Sequence, residues 1–156
     1  MNFFAQSYFS FKQELFRGYS FVVLRGIRNS DQKPIIVKYP VAEVSNQGDI
    51  SRLKNEFYIH SQENLLHSIK AIDFIDDTFL ILEDFGGVSL LEYLKKNSFT
   101  MSEFFSIAIA MTESLIEVHR KNVIHKDIKP ANFIINENTK ELKLTDFGIS
   151  TLFQKE

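Results

Sequence analysis

The sequence predicts an α+β fold with a strand-rich first half and a mainly helical second half. Three observations carry that expectation. β-Branched and aliphatic runs separated by turn formers fill the first half, a single helical stripe interrupts them, and after the paired glycines Gly86 and Gly87 the pattern turns to capped helices.

Taken in order, FVVLRGI at 21–27 and PIIVKYP at 34–40 read as a hairpin around the turn-forming NSDQK. From Asp49 to about residue 63, Ile50, Leu53, Phe57 and His60 recur at helical spacing, with Glu56 bordering that inward face. AIDFI and TFLILED read as two more strands joined through Asp76 and Asp77, which makes four runs read outright in a first lobe expected to hold five antiparallel strands and one helix. Ser89 with Glu92, and Thr100 with Glu103, have the capping-box spacing that opens a helix. In the second of these helices Phe104, Ala108, Met111, Leu115 and Val118 form an apolar stripe that must pack against something. FIIN and ELKLT then make a short hairpin around NENTK, which delivers Asp146 at its end.

A chain of 156 residues suits one domain, able to bury about two-thirds of its unfolded surface. With 44% hydrophobic and 24% charged residues it has globular rather than disordered composition, and its 16 Phe point to bulky packing. The net charge of −2, of mixed sign along the chain, provides neither a basic stripe for nucleic acid nor a polybasic anchor for lipid, which leaves small-molecule or protein partners. The lack of Cys excludes disulfides and thiolate metal sites and favours a reducing compartment. MNFFAQSYFSF lacks the basic and apolar regions of a signal peptide, and IAIAM is too short to span a bilayer. A cytoplasmic protein without a membrane span is expected.

The chemistry concentrates in VIHKDIKPANF at 123–133 and DFG at 146–148. An isolated Asp or Asn in either segment reads as a strand-end or turn residue. The set in this order, His-Lys-Asp-x-Lys-x-x-x-Asn and then Asp-Phe-Gly, resembles the catalytic loop and metal-binding motif of protein kinases, where His-Arg-Asp is the commoner opening. The resemblance runs from about residue 18 to 148 and includes a strand Lys, a helix Glu, an acidic hinge in LILEDFGG and a long helix before the loop. It implies a kinase-like fold: a five-stranded lobe with its helix C and hinge over about 15–85, and the first, mainly helical part of the second lobe over 86–156.

It also implies phosphoryl transfer from ATP with Mg²⁺ to a protein serine or threonine, in signalling. Asp127 would take or orient the proton of the acceptor hydroxyl. Lys129 would reach the γ-phosphate, and Lys at that place is similar to the serine/threonine class. Asn132 and Asp146 would offer hard oxygen ligands to Mg²⁺. Lys38 lies 20 residues after Gly18 and 18 before Glu56, which resembles the spacing of the phosphate-holding Lys and its ion-pair partner; outside that context a strand Lys could snorkel from an edge.

FRGYSFVV aligns with the glycine-rich phosphate loop only at Gly18 and Val23, and Phe16 and Phe21 stand where the other glycines would be. Those side chains obstruct the close backbone approach that Gly permits. Leu82 would be the gatekeeper, and Glu83 and Phe85 would offer backbone groups to adenine. His125 reads as a core residue beneath the loop. Lys126 replaces an Arg whose planar fork would pair with a phosphorylated activation loop.

LRGIRNSDQKPIIVK, EDFGG and VIHKDIKPANFIIN are similar to the amino-terminal kinase domain of large bacterial signalling proteins that continue into an ATPase-like region and a sensor histidine kinase. After Gly148 only ISTLFQKE follows, so a truncated kinase domain with an exposed apolar patch is expected, completed in trans by a downstream polypeptide if it is active. Three readings stay open: an active serine/threonine kinase, a pseudokinase-like module that binds Mg-ATP without turnover, and a fragment or pairing scaffold with neither property. A small-molecule kinase of the same architecture is a further alternative, against which Lys129, two residues after Asp127, argues.

Overall fold

A computed structural model describes residues 7–41 and 46–153; the opening MNFFAQ, residues 42–45 and the final QKE lie outside them. Strands β1 (Phe9–Arg17), β2 (Phe21–Arg28), β3 (Pro34–Pro40), β4 (Ala71–Ile75) and β5 (Phe79–Glu83) form one antiparallel sheet in the order β1-β2-β3-β5-β4. The first strand starts at Phe9, ahead of the lobe boundary expected at about residue 15, because Phe9 is an anchor, buried with Ile35, Val37 and Ile81 on the outer face of the sheet. The helical stripe predicts α1 from Asp49. The helix runs instead over Gln47–Gln62, since Asn46 is the cap and Asp49 the third residue of a reciprocal capping box.

Side chains alternate across the strands, so β2 directs Phe21 and Val23 to one face and Val22 and Leu24 to the other. Val23 is paired with Lys38, and Lys38 with Leu80, which puts these positions on the inner face toward α1. That face carries a second cluster of Leu53, Ile69, Leu80 and Leu82, with Phe21, Ile36, Phe85 and Ile134 packed against it. The buried stripe of α1 is Leu53, Glu56 and Ile59, whereas Ile50, Phe57 and His60 are half-buried. Glu56 therefore lies within the inward face, not at its border.

The predicted second half follows. It comprises β6 (Val88–Ser89), α2 (Leu90–Lys96), α3 (Met101–Arg120), β7 (Val123–Ile124), a 3-10 turn (Pro130–Asn132), β8 (Phe133–Ile135), β9 (Leu142–Leu144) and β10 (Thr151–Leu152). Thr100 and Glu103 form the full reciprocal cap of α3, and Ser89 accepts the Glu92 N–H at α2. The hairpin around NENTK is observed as β8 paired with β9, extended by β6, while β7 pairs with β10.

Val118, Phe133, Leu144 and Phe147 centre the core of this half. Of the α3 stripe Val118 is fully buried and Ala108, Met111 and Leu115 are half-buried, whereas Phe104 at the N-terminal end is 56% exposed, as are its neighbours Phe105 and Ile109 at 54% and 58%. Among the described residues no helix is long and apolar enough to cross a membrane. The α+β architecture expected from the sequence, a five-stranded antiparallel lobe with one helix followed by a mainly helical part, is the one observed.

Candidate active site

Lys38 projects from β3 onto the inner face, where its ammonium lies 2.8 Å from Glu56 Oε2 on α1 and 2.8 Å from Asp146 Oδ1 after β9. Three segments far apart in sequence thus share one ion network. Burial alone would pull the Lys38 ammonium down, but the carboxylates of Glu56 and Asp146 outweigh it and hold its pKa above the ordinary value. At Asp146 burial pushes up and the Lys38 ammonium pulls down harder, so the carboxyl stays below its usual range. Lys38 does not snorkel from an edge: its strand is central and only 8% of the residue is exposed. Glu56 Oε1 is buried without a hydrogen-bond partner among the described residues, so Lys38 serves only one of the two oxygens.

The loop between β7 and β8 carries Asp127, Lys129 and Asn132. Asn132 donates its amide N–H to the Asp127 backbone carbonyl at 2.8 Å and to Asp127 Oδ2 at 2.9 Å. Lys129 Nζ sits 2.5 Å from the same Oδ2. The Lys129 hydrogen bond, with that of Asn132, holds the Asp127 carboxyl below its usual range.

His125 joins this loop to Asp146. Its Nε2 donates to the Thr145 carbonyl at 2.9 Å and its Nδ1 accepts the Asp127 N–H at 3.3 Å, so both ring nitrogens and the tautomer are fixed by backbone partners. The residue is buried, as the core reading of the sequence expects, and it is what brings the two aspartate segments side by side. Thr145 N–H also bonds the Asn132 carbonyl at 2.9 Å. Lys126 and Asp146 both adopt left-handed backbone, with φ of 68° and 69°. For Lys that conformation is uncommon, and such strain concentrates where function fixes geometry.

Several participants are invisible in the sequence. Asn55 on α1 donates to the carbonyls of Phe147, Gly148 and Ser150 at 2.9–3.2 Å, clasping the segment after Asp146. The Phe147 ring is held edge-on between His60 and His125, at 4.9 and 4.7 Å between centroids. Arg25 forms a two-pronged ion pair with Asp84 and also donates to the Gly87 carbonyl, tying β2 to the hinge. Lys126 Nζ donates to the Thr151 hydroxyl.

At the hinge, Leu82 is buried, the Phe85 carbonyl accepts from Asn136 Nδ2 at 2.6 Å, and the Glu83 side chain binds Lys143 at 2.8 Å. The Glu83 N–H is already given to the Lys70 carbonyl. Gly18 donates its N–H to the Phe21 carbonyl, closing the β1–β2 turn, and Val23 is half-buried opposite Lys38.

The donor set fits a triphosphate with a hard divalent cation. Asn132 uses its NH₂ on Asp127, which leaves its amide oxygen for a cation, and Asp146 keeps a 41% exposed carboxylate beside the Lys38 ammonium. One carboxylate and one amide oxygen, with phosphate oxygens and water, is the mode in which Mg²⁺ is held.

A family model described as "Protein kinase domain" matches residues 9–156. Dual specificity protein kinase zakA of Dictyostelium discoideum is 36% identical over 51% of the chain and 11% of its own length. Calcium-dependent protein kinase 5 of Plasmodium falciparum is 30% identical over 66% of the chain and 19% of its own length. Serine/threonine-protein kinase DCLK2 of Mus musculus is 24% identical over 84% of the chain and 22% of its own length. The chain thus spans less than a quarter of the length of each of these three relatives.

Proposed function

The chain belongs to the protein kinase domain family, and from that premise we propose that it binds Mg-ATP between β3, α1 and the Asp146 segment for phosphoryl transfer to a serine or threonine hydroxyl of a protein. The observation that carries the reading is the Lys38–Glu56–Asp146 network, joined to Asp127 through the His125 ring. Phosphoryl transfer asks a protein mainly for positioning and charge neutralisation, which is what such a constellation offers.

In this reading Lys38 binds the α- and β-phosphates, with Glu56 as the positioning partner that keeps the ammonium in place. Asp146 and Asn132 hold Mg²⁺, which when bound neutralises charge on the phosphate oxygens. Asp127 accepts the proton of the acceptor hydroxyl; its depressed pKa keeps it ionised at neutral pH. Lys129, now paired with Asp127, turns to the γ-phosphate. Glu83 and Phe85 border the base, with the Phe85 carbonyl oriented by Asn136.

A second reading, Mg-ATP binding without transfer, is favoured by the engagement of Asp127 Oδ2 by both Lys129 and Asn132, which occupies the proton acceptor without touching Lys38. Labelled phosphate from γ-labelled ATP, followed into casein and into the chain itself, separates the two. Transfer by the wild type, reduced at least about 100-fold in Asp127→Asn, supports the kinase reading. Nucleotide binding with no transfer by the wild type supports the second.

A further inference from the structure

The β1–β2 turn sets an aromatic ring against the phosphate-binding ammonium. Phe21 opens β2 on the inner face, two positions from Val23, which is the register partner of Lys38. Lys38 Nζ lies 5.2 Å from the Phe21 ring centroid, within the range of a cation–π contact. The ring is half-buried and packs against the cluster of Leu53, Leu80 and Leu82, so it is held inward by apolar contact as well as by charge.

An ammonium has three N–H donors. At Lys38 two point to the carboxylates of Glu56 and Asp146, and the remaining approach is covered by the ring. With the residue 8% exposed, little of the ammonium is open to a phosphate oxygen. The turn itself is closed by the Gly18 N–H to Phe21 carbonyl bond at 2.9 Å, and the Ser20 carbonyl is tied to Val41 N–H. The backbone is therefore pinned, and the movable part is the side chain.

Building on the Mg-ATP reading above, we propose that Phe21 is a gate on Lys38: its ring occupies the phosphate approach, and nucleotide phosphates reach the ammonium only when the ring rotates away. Phe21 stands where the family pattern has a glycine, whose absent side chain would leave that approach open. The closed ring lowers apparent affinity by the fraction of molecules that have it swung out. The gate acts on ligands that carry phosphate, and a bare nucleoside does not compete for Lys38.

The test is equilibrium binding of Mg-ATP and of adenosine to the full chain, as wild type, Phe21→Gly and Phe21→Leu, each checked for folding by circular dichroism. The gate predicts that Phe21→Gly tightens Mg-ATP binding at least about tenfold and changes adenosine binding less than about twofold. Phe21→Leu keeps apolar cover without the aromatic face, and an intermediate gain of at least about threefold is expected, which carries the test if the glycine variant does not fold. Equal Mg-ATP affinity in all three proteins, or an equal gain for adenosine, overturns the gate and leaves the nucleotide reading standing. Folded proteins of which none binds Mg-ATP overturn that reading, and the gate with it.

Discussion

The Lys38 ammonium meets the Asp146 carboxylate at 2.8 Å across 108 positions of sequence. The contact joins the central strand of the first lobe to the segment after β9, and Glu56 on α1 completes it from the third side. A site built this way forms only when both halves of the chain are folded against each other.

Removing Lys38 should therefore cost stability as well as binding. Glu56 is 1% exposed, and without Lys38 its carboxylate stays buried with no counter-charge. Lys38→Ala is expected to lose about 3–5 kcal/mol in urea unfolding, and the double variant Lys38→Ala/Glu56→Leu should recover much of that loss. The coupling between the two substitutions, read as a double-mutant cycle, checks it.

Asn55 should control the order of the segment after Asp146. Its amide N–H group faces three backbone carbonyls, of Phe147, Gly148 and Ser150. Asn55→Ala is expected to destabilise the fold by about 1–3 kcal/mol. Amide hydrogen exchange around residues 147–151 should quicken more than exchange in β3.

How much of this was legible in the sequence depends on range. The loop with Asp127 and Asn132, and the Asp-Phe-Gly segment, stood out because their residues together, at fixed local spacing, resemble the kinase motifs, though each alone reads as a turn residue. Lys38 and Glu56 could be paired only through the resemblance of their spacing to the kinase pattern, since periodicity alone left Glu56 at the border of the inward face and Lys38 free to snorkel from an edge. Asn55, Asn136 and Arg25 gave no such signal, since each acts on a backbone or side-chain partner 51 or more positions away. The β7–β10 pair escaped because two-residue strands show no alternation. The start of α1 was misplaced because Asn46 and Asp49 form a capping box with Asp in the position where Glu or Gln is usual.

The histidines on either side of Phe147 set a pH dependence. Burial pushes His60 below its ordinary 6.5, and the charges of Glu56 and Glu83 restore only part of the shift. Burial does the same at His125, against the opposing pull of the Thr145 carbonyl. Both are neutral in the folded state and protonate more readily when unfolded, so stability rises with pH through this window. Their contribution is complete above about pH 6.5 and is lost as pH falls through the folded pKa values. The urea midpoint should drop between about pH 7 and 5, and His60→Met should flatten part of that slope. Asp127 and Asp146, with depressed pKa values, lose their contribution only below their ordinary 3.8, so the two windows separate.

The measurement that tests the central claim most directly is calorimetric titration of the full chain with Mg-ATP, beside Lys38→Met and Asp146→Asn variants verified as folded. The account predicts saturable binding at one site in the wild type, weakened at least about tenfold in each variant, because β3 and the Asp146 segment serve the same phosphates. Undiminished binding in both folded variants, or no binding by the folded wild type, would contradict it.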